Sequence, residues 1–286
     1  MRYEAPSSLE QAVGLLAAAT GDARVLAGGT DLLVQMRTDI LDPELVVDIK
    51  HIPELREIRE DGGGFRIGAA VTGAELKEHP RLKAVWPGIV EAANLIGSTQ
   101  IQGRATMGGN LCNGSPAADS VPALIAAGAK ASVVGPNGRR EIAVEDVMLA
   151  PRKLSLSKGE IIASFVLPAQ GKGSADAYLR FIPRTEMDIA VVGCGVALNV
   201  DDKGTVSHAR VSLGAVAARP LLVEEAARAL VGSRLEEAAL RKLDAAAGAA
   251  CKPIDDKRGT KEYRIKVAGV LARRAAAIAY QRARQA

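Results

Sequence analysis

Two glycine pairs constrain what this chain can fold into. One lies in "VLAGGTDLL" at 25–33, the other in "RATMGGNLCNGSPAADSVPALI" at 104–125. Each is followed by an apolar run of helical character. Glycine has no Cβ, so it takes positive φ and lets a ligand approach the main chain closely. Successive N–H groups in such a turn form a nest for anions, and a helix start just beyond adds its dipole. One loop of this kind holds one phosphate. Two, brought together by folding, hold both halves of a pyrophosphate from opposite sides without Lys or Arg. Either pair alone reads as a tight turn; together they read as a dinucleotide diphosphate clamp.

The other glycine motifs point elsewhere. Gly62-Gly63-Gly64 sits between alternating apolar runs and reads as a hairpin turn. No G-x-x-x-x-G-K-[ST] is present, so P-loop chemistry is unsupported. "GCGVAL" at 193–198 lacks the third glycine of G-x-G-x-x-G, which disfavours a Rossmann fold.

Helical spacing places a first helix at 7–19, with a Ser7/Glu10 capping box and Leu9, Val13 and Leu16 on one face. Strands are expected at "RVLAGG", at 44–49 and as a hairpin over 56–71. Thr72 and Glu75 form a second capping box, and 80–96 reads as one helix. Strands follow at 130–135, 139–144 and 159–168, and Gln170–Ser174 is the best linker. Beyond it come three strands (176–183, 189–200, 205–216) and helices at about 221–231, 234–248 and 260–284. The expected architecture is α+β. A nucleotide-type domain spans 1–173, as two α/β subdomains of approximately 1–55 and 56–173, and a smaller α+β domain spans 174–286.

Hydrophobic residues make up 48% of the chain, enough for a sizeable core, but aromatics only 3%. A flat cofactor must therefore be clasped by aliphatic side chains and backbone. Residues 251–286 carry a net +7 and the remainder about −3. With few aromatics interleaved to stack on bases, this tail reads as a solvated face or a contact for an acidic partner, not a nucleic-acid site. The N-terminus has no apolar signal core and no run is long enough for a membrane helix, so the expected location is cytoplasmic. Cys112, Cys194 and Cys251 are scattered, so no metal or cluster site is expected in this chain.

Longer strings carry a family resemblance. "VLAGGTDLLVQMR", "IGAAVTGAEL", "ANLIGSTQIQGRATMGGNLCNGSPAADSVPALIAAGA" and "FIPRTEMDIAVVGCGVAL" occur in that order, followed by "ARVSLGAVAARP" and "RGTKEYRIKVAGVLARRA". Together they resemble the FAD-binding medium subunit of the molybdenum hydroxylases, the xanthine dehydrogenase and carbon monoxide dehydrogenase family. The resemblance covers nearly the whole chain. It implies two FAD-binding subdomains with the flavin between them, then a C-terminal domain of a three-stranded sheet and helices.

By position, the resemblance assigns Ala27, Gly28, Gly29, Thr30, Asp31 and Leu32 to a first pyrophosphate loop. Thr106, Gly109 and Asn110 belong to a second, with Met107 and Gly108 between them. Asn113 matches a position reaching the flavin side. Asp119 matches an acid bonded to the sugar-like part of FAD; read on its own it is a helix N-cap. Ile161 and Ile162 match aliphatic residues touching the rings, though a buried strand pair accounts for them equally well. Arg180 matches a basic position near the flavin that is often Lys in the family. Arg184 and Asp188 match a charged pair, which an ordinary salt bridge also explains. Gly103 stands where the family often has Asn. Relatives acting on benzoyl-CoA carry a cysteine-rich insertion after "GGNLC", absent here.

The resemblance implies an electron-transfer subunit with no catalytic side chain of its own. A molybdopterin large subunit would oxidise the substrate, and an iron–sulfur small subunit with [2Fe–2S] clusters would relay electrons. FAD on this chain would pass them to NAD, a quinone or another acceptor, in a dimer of heterotrimers. Two alternatives stand beside it. A self-contained FAD-dependent oxidoreductase would need its own acid or base above the flavin. A non-catalytic nucleotide-binding module would bind without turnover.

Overall fold

The computed structural model describes residues 1–286. It begins with a small parallel sheet. β1 (Arg2–Glu4) is followed by α1 (Leu9–Ala18), β2 (Ala23–Leu26), α2 (Leu32–Arg37) and β3 (Leu45–Asp48), and the strands order β1-β3-β2. β1 has no counterpart in the sequence expectations, because three residues are too few to show alternation. α1 buries Leu9, Ala12, Val13 and Leu16. Its cap lies one residue later than expected. Ser8 accepts from the Gln11 N–H at 3.3 Å, and Gln11 Oε1 accepts from the Ser7 N–H at 3.1 Å.

A five-stranded antiparallel sheet follows. β4 (Ile58–Asp61) and β5 (Gly64–Gly68) form the hairpin, with Gly62 and Gly63 at positive φ as the turn requires. α3 (Gly73–Glu78) starts with the Thr72/Glu75 capping box. The single helix expected over 80–96 is two: α4 (Pro80–Val85) and α5 (Pro87–Ala93). Pro87 cannot donate its backbone nitrogen and opens a new helix at N1. Three short helices come next, α6 (Thr99–Gln102), α7 (Met107–Cys112) and α8 (Ser120–Ala126). β6 (Lys130–Gly135) and β7 (Gly138–Ala143) pair, as do β8 (Met148–Ala150) and β9 (Lys153–Leu154). β10 (Ile161–Leu167) then enters the middle of the sheet, giving the order β4-β5-β10-β6-β7.

The C-terminal sheet has four strands, not three. β11 (Ser174–Phe181), β12 (Val192–Val200) and β13 (Val206–Gly214) are joined by a two-residue edge strand, β14 (Leu221–Leu222). α9 (Glu224–Leu230), α10 (Glu237–Ala250) and α11 (Lys261–Ala283) complete the chain. α11 lies on β11 and β12, with Ala268, Ala272, Ala275, Ala276 and Ala279 wholly buried. The small side chains let the helix sit close to the strands. α5 and α8 cover the sheet from the other side. A Cβ on Gly195 would lie 2.6 Å from Pro122 O, so the glycine of "GCGVAL" serves helix-on-sheet packing. No helix is long and apolar enough to cross a membrane.

Candidate functional site

The two glycine loops meet. Gly28 lies against the main chain of Arg104–Ala105, where an added Cβ would come 2.0 Å from Arg104 O. Gly108 packs on Ala69, where a Cβ would sit 2.5 Å from the carbonyl oxygen. These two positions are glycine because backbone meets backbone. Gly29 is glycine for conformation, with φ +79°. Arg104 Nε donates to Gly28 O at 3.4 Å across the junction.

Between the loops runs a cleft of about 360 Å³. Its wall includes Ala27, Gly28, Gly29, Thr30, Asp31 and Leu32 from the first loop and Thr106, Gly108, Gly109, Asn110 and Asn113 from the second. Ile161 and Ile162 from β10 line it too. Successive strand residues point to opposite faces. Ile161 therefore joins the core of the parallel-sheet region, and Ile162 the core of the antiparallel sheet. Leu154 and Leu156 add further aliphatic surface, as the shortage of aromatics required.

Main-chain groups contribute to the polar character of this cleft beside the side chains of Arg24, Gln35, Arg152 and Glu160. None of the N–H groups of residues 27–32 donates to an acceptor within the chain, nor do those of Thr106 and Gly108, whereas Met107 lies in the short bridge that pairs Thr72 with Thr106. Free donors on both loops, part of them at the start of α2, describe a cradle for an anion. The remaining second-loop donors are used locally. Gly109 N donates to Thr106 Oγ1 at 2.9 Å, and Asn110 N to Thr106 O at 2.9 Å. α2 and α7 have six residues each, so their dipoles add less than the fixed N–H groups do. Desolvation at the wall raises the Asp31 carboxyl above its ordinary value.

Asp119 and Arg180 stand together outside this wall. Arg180 Nη1 donates to Asp119 Oδ2 at 2.8 Å and to Leu95 O at 2.7 Å, and Tyr178 donates its hydroxyl to Asp119 Oδ1 at 3.1 Å. Burial pushes the Asp119 carboxyl up to about 6, against the opposing pull of Arg180 and Tyr178. Asp119 occupies the N-cap position of α8 without bonding its N–H groups. Asn110 does that work instead: its Oδ1 accepts from Ser120 N at 3.1 Å and Ser120 Oγ at 2.7 Å. Arg184 and Asp188 pair at 3.3 Å, with Arg258 on the other carboxylate oxygen at 2.8 Å, in an exposed loop off the cleft.

Other residues escaped the sequence reading. Gln35, Cys112 and Arg152 all line the cleft. Asp176 is wholly enclosed and accepts from Gly88 N at 2.9 Å and Ile89 N at 3.0 Å, capping α5 from a distant strand. Nothing local marks such a contact. Much of the basic charge after residue 250 is answered within the chain: Arg258, Lys261, Arg264, Arg273 and Arg282 all pair with its own acids.

The chain resembles known proteins along nearly its whole length. Residues 1–170 match the family described as the FAD binding domain in molybdopterin dehydrogenase, and 177–279 the CO dehydrogenase flavoprotein C-terminal domain. The carbon monoxide dehydrogenase medium chain of Hydrogenophaga pseudoflava is 36% identical over 98% of this chain and 97% of its own length. The xanthine dehydrogenase FAD-binding subunit of Escherichia coli O157:H7 is 32% identical over 92% of this chain and 90% of its own. A chain of CO dehydrogenase from Oligotropha carboxidovorans superposes with a TM-score of 0.94 at 37% identity, covering 99% of this chain and 98% of that one.

Proposed function

The chain belongs to the FAD-binding medium-subunit family of the molybdopterin dehydrogenases, and on that premise we propose that its cleft holds FAD and that the chain carries electrons between partner subunits and an outside acceptor. The observation that supports this most is the pair of facing loops whose N–H groups lack acceptors. The donors suit a diphosphate, and the glycines allow the approach. Bound FAD supplies the redox chemistry; the chain positions it and shields it.

In this reading the loops 27–32 and 106–110 grip the diphosphate from two sides. Ile161 and Ile162, on opposite faces of β10, form part of the wall beside a ring, and Asn113 faces the flavin end. Asp119 and Arg180, paired behind the second loop and off the cleft wall, position that loop without touching the ligand. Residues 1–173 form the FAD-binding domain and 174–286 the supporting one. The partners are an iron–sulfur subunit and a molybdopterin subunit, in a dimer of heterotrimers. NAD, a quinone or a related carrier is the acceptor, and the assembly works in the cytoplasm. Relatives named for different substrates share this fold, so substrate choice falls to the molybdopterin partner.

The test is a titration of the flavin-free full chain with FAD, followed by flavin fluorescence. Iron and molybdenum are then measured in whatever co-purifies with it. Saturable 1:1 binding, with both metals in companion chains, supports the proposal. Failure to bind FAD overturns the reading of the cleft. Flavin-bound chain turning over a small substrate unaided overturns the subunit role.

A further inference from the structure

Gln35 lies one helical turn beyond the first glycine loop and lines the cleft. Its Nε2 donates to Asn113 Oδ1 at 3.0 Å, joining α2 to the residue that ends α7. The bond ties the two cleft-forming segments side chain to side chain. It also leaves half of each amide unused. Gln35 Oε1, an acceptor, and Asn113 Nδ2, a donor, bond to nothing else in the chain, and neither is sealed from solvent.

An acceptor beside a donor, fixed relative to each other, is the wrong equipment for a phosphate. Phosphate oxygens want donors only, and the loops already provide those. The pair instead complements a planar ring edge on which a donor neighbours an acceptor. Ile161, Ile162, Leu154 and Leu156 provide aliphatic surface in the same cleft for a ring face. We propose that Gln35, hydrogen-bonded to Asn113, reads the donor–acceptor edge of the flavin ring of the bound dinucleotide. This rests on the reading of the cleft as the FAD site. Both rings of FAD offer such an edge, the lactam edge of the flavin and the amidine edge of adenine.

The experiment uses the flavin-free full-length chain and its Gln35→Met and Gln35→Glu variants. Dissociation constants for FAD come from fluorescence quenching, and those for ADP and FMN from competition. Gln35→Met keeps the length and removes both polar atoms; Gln35→Glu keeps an acceptor and removes the donor that ties Asn113. FAD weakens about tenfold in either variant, the loss expected for a hydrogen bond and its fixed partner. Only one half-ligand weakens with it, FMN, because Asn113 faces the flavin end; a loss for ADP alone overturns the proposal. Unchanged FAD affinity in either variant overturns the proposal. So does an equal loss for ADP and FMN, which marks a general loosening of the loops. Should Gln35→Met fail to fold, Gln35→Glu decides alone. Wild-type chain that binds no FAD sinks the cleft reading itself, a result separate from variants that match a binding wild type.

Discussion

Replacing Gly28 with alanine tests the contact on which the cleft depends. The new methyl group would lie 2.0 Å from Arg104 O and 2.7 Å from Arg104 C, where ordinary contact begins near 3.4 Å. Both neighbours are main chain, so no side chain can swing aside. The loops must part by about an ångström or more. Overpacking of this kind costs about 1–3 kcal/mol. At about 2–4 °C per kcal/mol, the melting temperature falls by a few degrees to about 10 °C. Binding suffers separately, because the free N–H groups move with the loop. Losing one hydrogen bond to a charged oxygen, about 1.5–3 kcal/mol, weakens FAD about 10- to 150-fold. Gly109→Ala is the comparison: its nearest neighbour is Thr106 Oγ1 at 3.1 Å, within the same turn, so its effect is smaller. The assays are thermal melts with and without FAD, and fluorescence titration. Gly28→Ala that melts with wild type and binds FAD within about twofold of it refutes the argument that the loops are in contact.

Three further outcomes follow from the same structure. Burial lifts the Asp176 carboxyl to about 7, well above its unfolded value, so its contribution to stability is complete at acid pH and lost as pH rises through 7. Asp176→Asn, which cannot ionise, should flatten the fall in melting temperature between about pH 4 and 7; an unchanged slope contradicts this. Cys112 is exposed in the cleft while Cys194 and Cys251 are buried. A thiol reagent should therefore modify Cys112 alone, faster as pH rises, and FAD should protect it; mass spectrometry of peptides reads the site. Gly14 lies inside α1 with nothing within 4 Å of an added Cβ. Gly14→Ala should gain about 0.5–1 kcal/mol in denaturant unfolding and leave FAD affinity alone.

The elements that announce themselves are those whose cause is local. The Thr72/Glu75 box and the Gly62-Gly63 turn depend on residues a few positions apart, and both form as read. The glycine loops were legible as loops, but the reason for their glycines only in part. Gly29 needs positive φ, whereas Gly28 and Gly108 yield to main chain from distant segments. Sequence spacing carries no record of Arg104 or Ala69 lying opposite. The family resemblance assigns Asn110 to the ligand, yet its Oδ1 caps α8 through Ser120. Short helices such as α6 and α7 were missed because one turn is too short to show a period of 3.6. Gln35 looked like any polar residue of a short helix until folding set Asn113 beside it.

One strand ties the two halves of the chain together. Asp176, Tyr178 and Arg180 alternate along β11 and so share a face. That face meets the first half of the chain: Asp176 caps α5, while Tyr178 and Arg180 hold Asp119 at the start of α8. α8 in turn is capped by Asn110 of the second glycine loop. The C-terminal region is thus part of what fixes the cleft. Residues 1–173 alone would lose the acceptors for Gly88 and Ile89, leave Asp119 without its cation, and uncover the face of α8 that lies on β12. Exposing the apolar face of α8 and removing the acceptors that cap α5 takes away stability the first half draws from the second. The fragment should therefore lack a cooperative melt and bind FAD poorly, and adding residues 174–286 in trans should restore both. Fragment 1–173 that melts sharply and binds FAD as the full chain does would show that the strand decorates the site without supporting it.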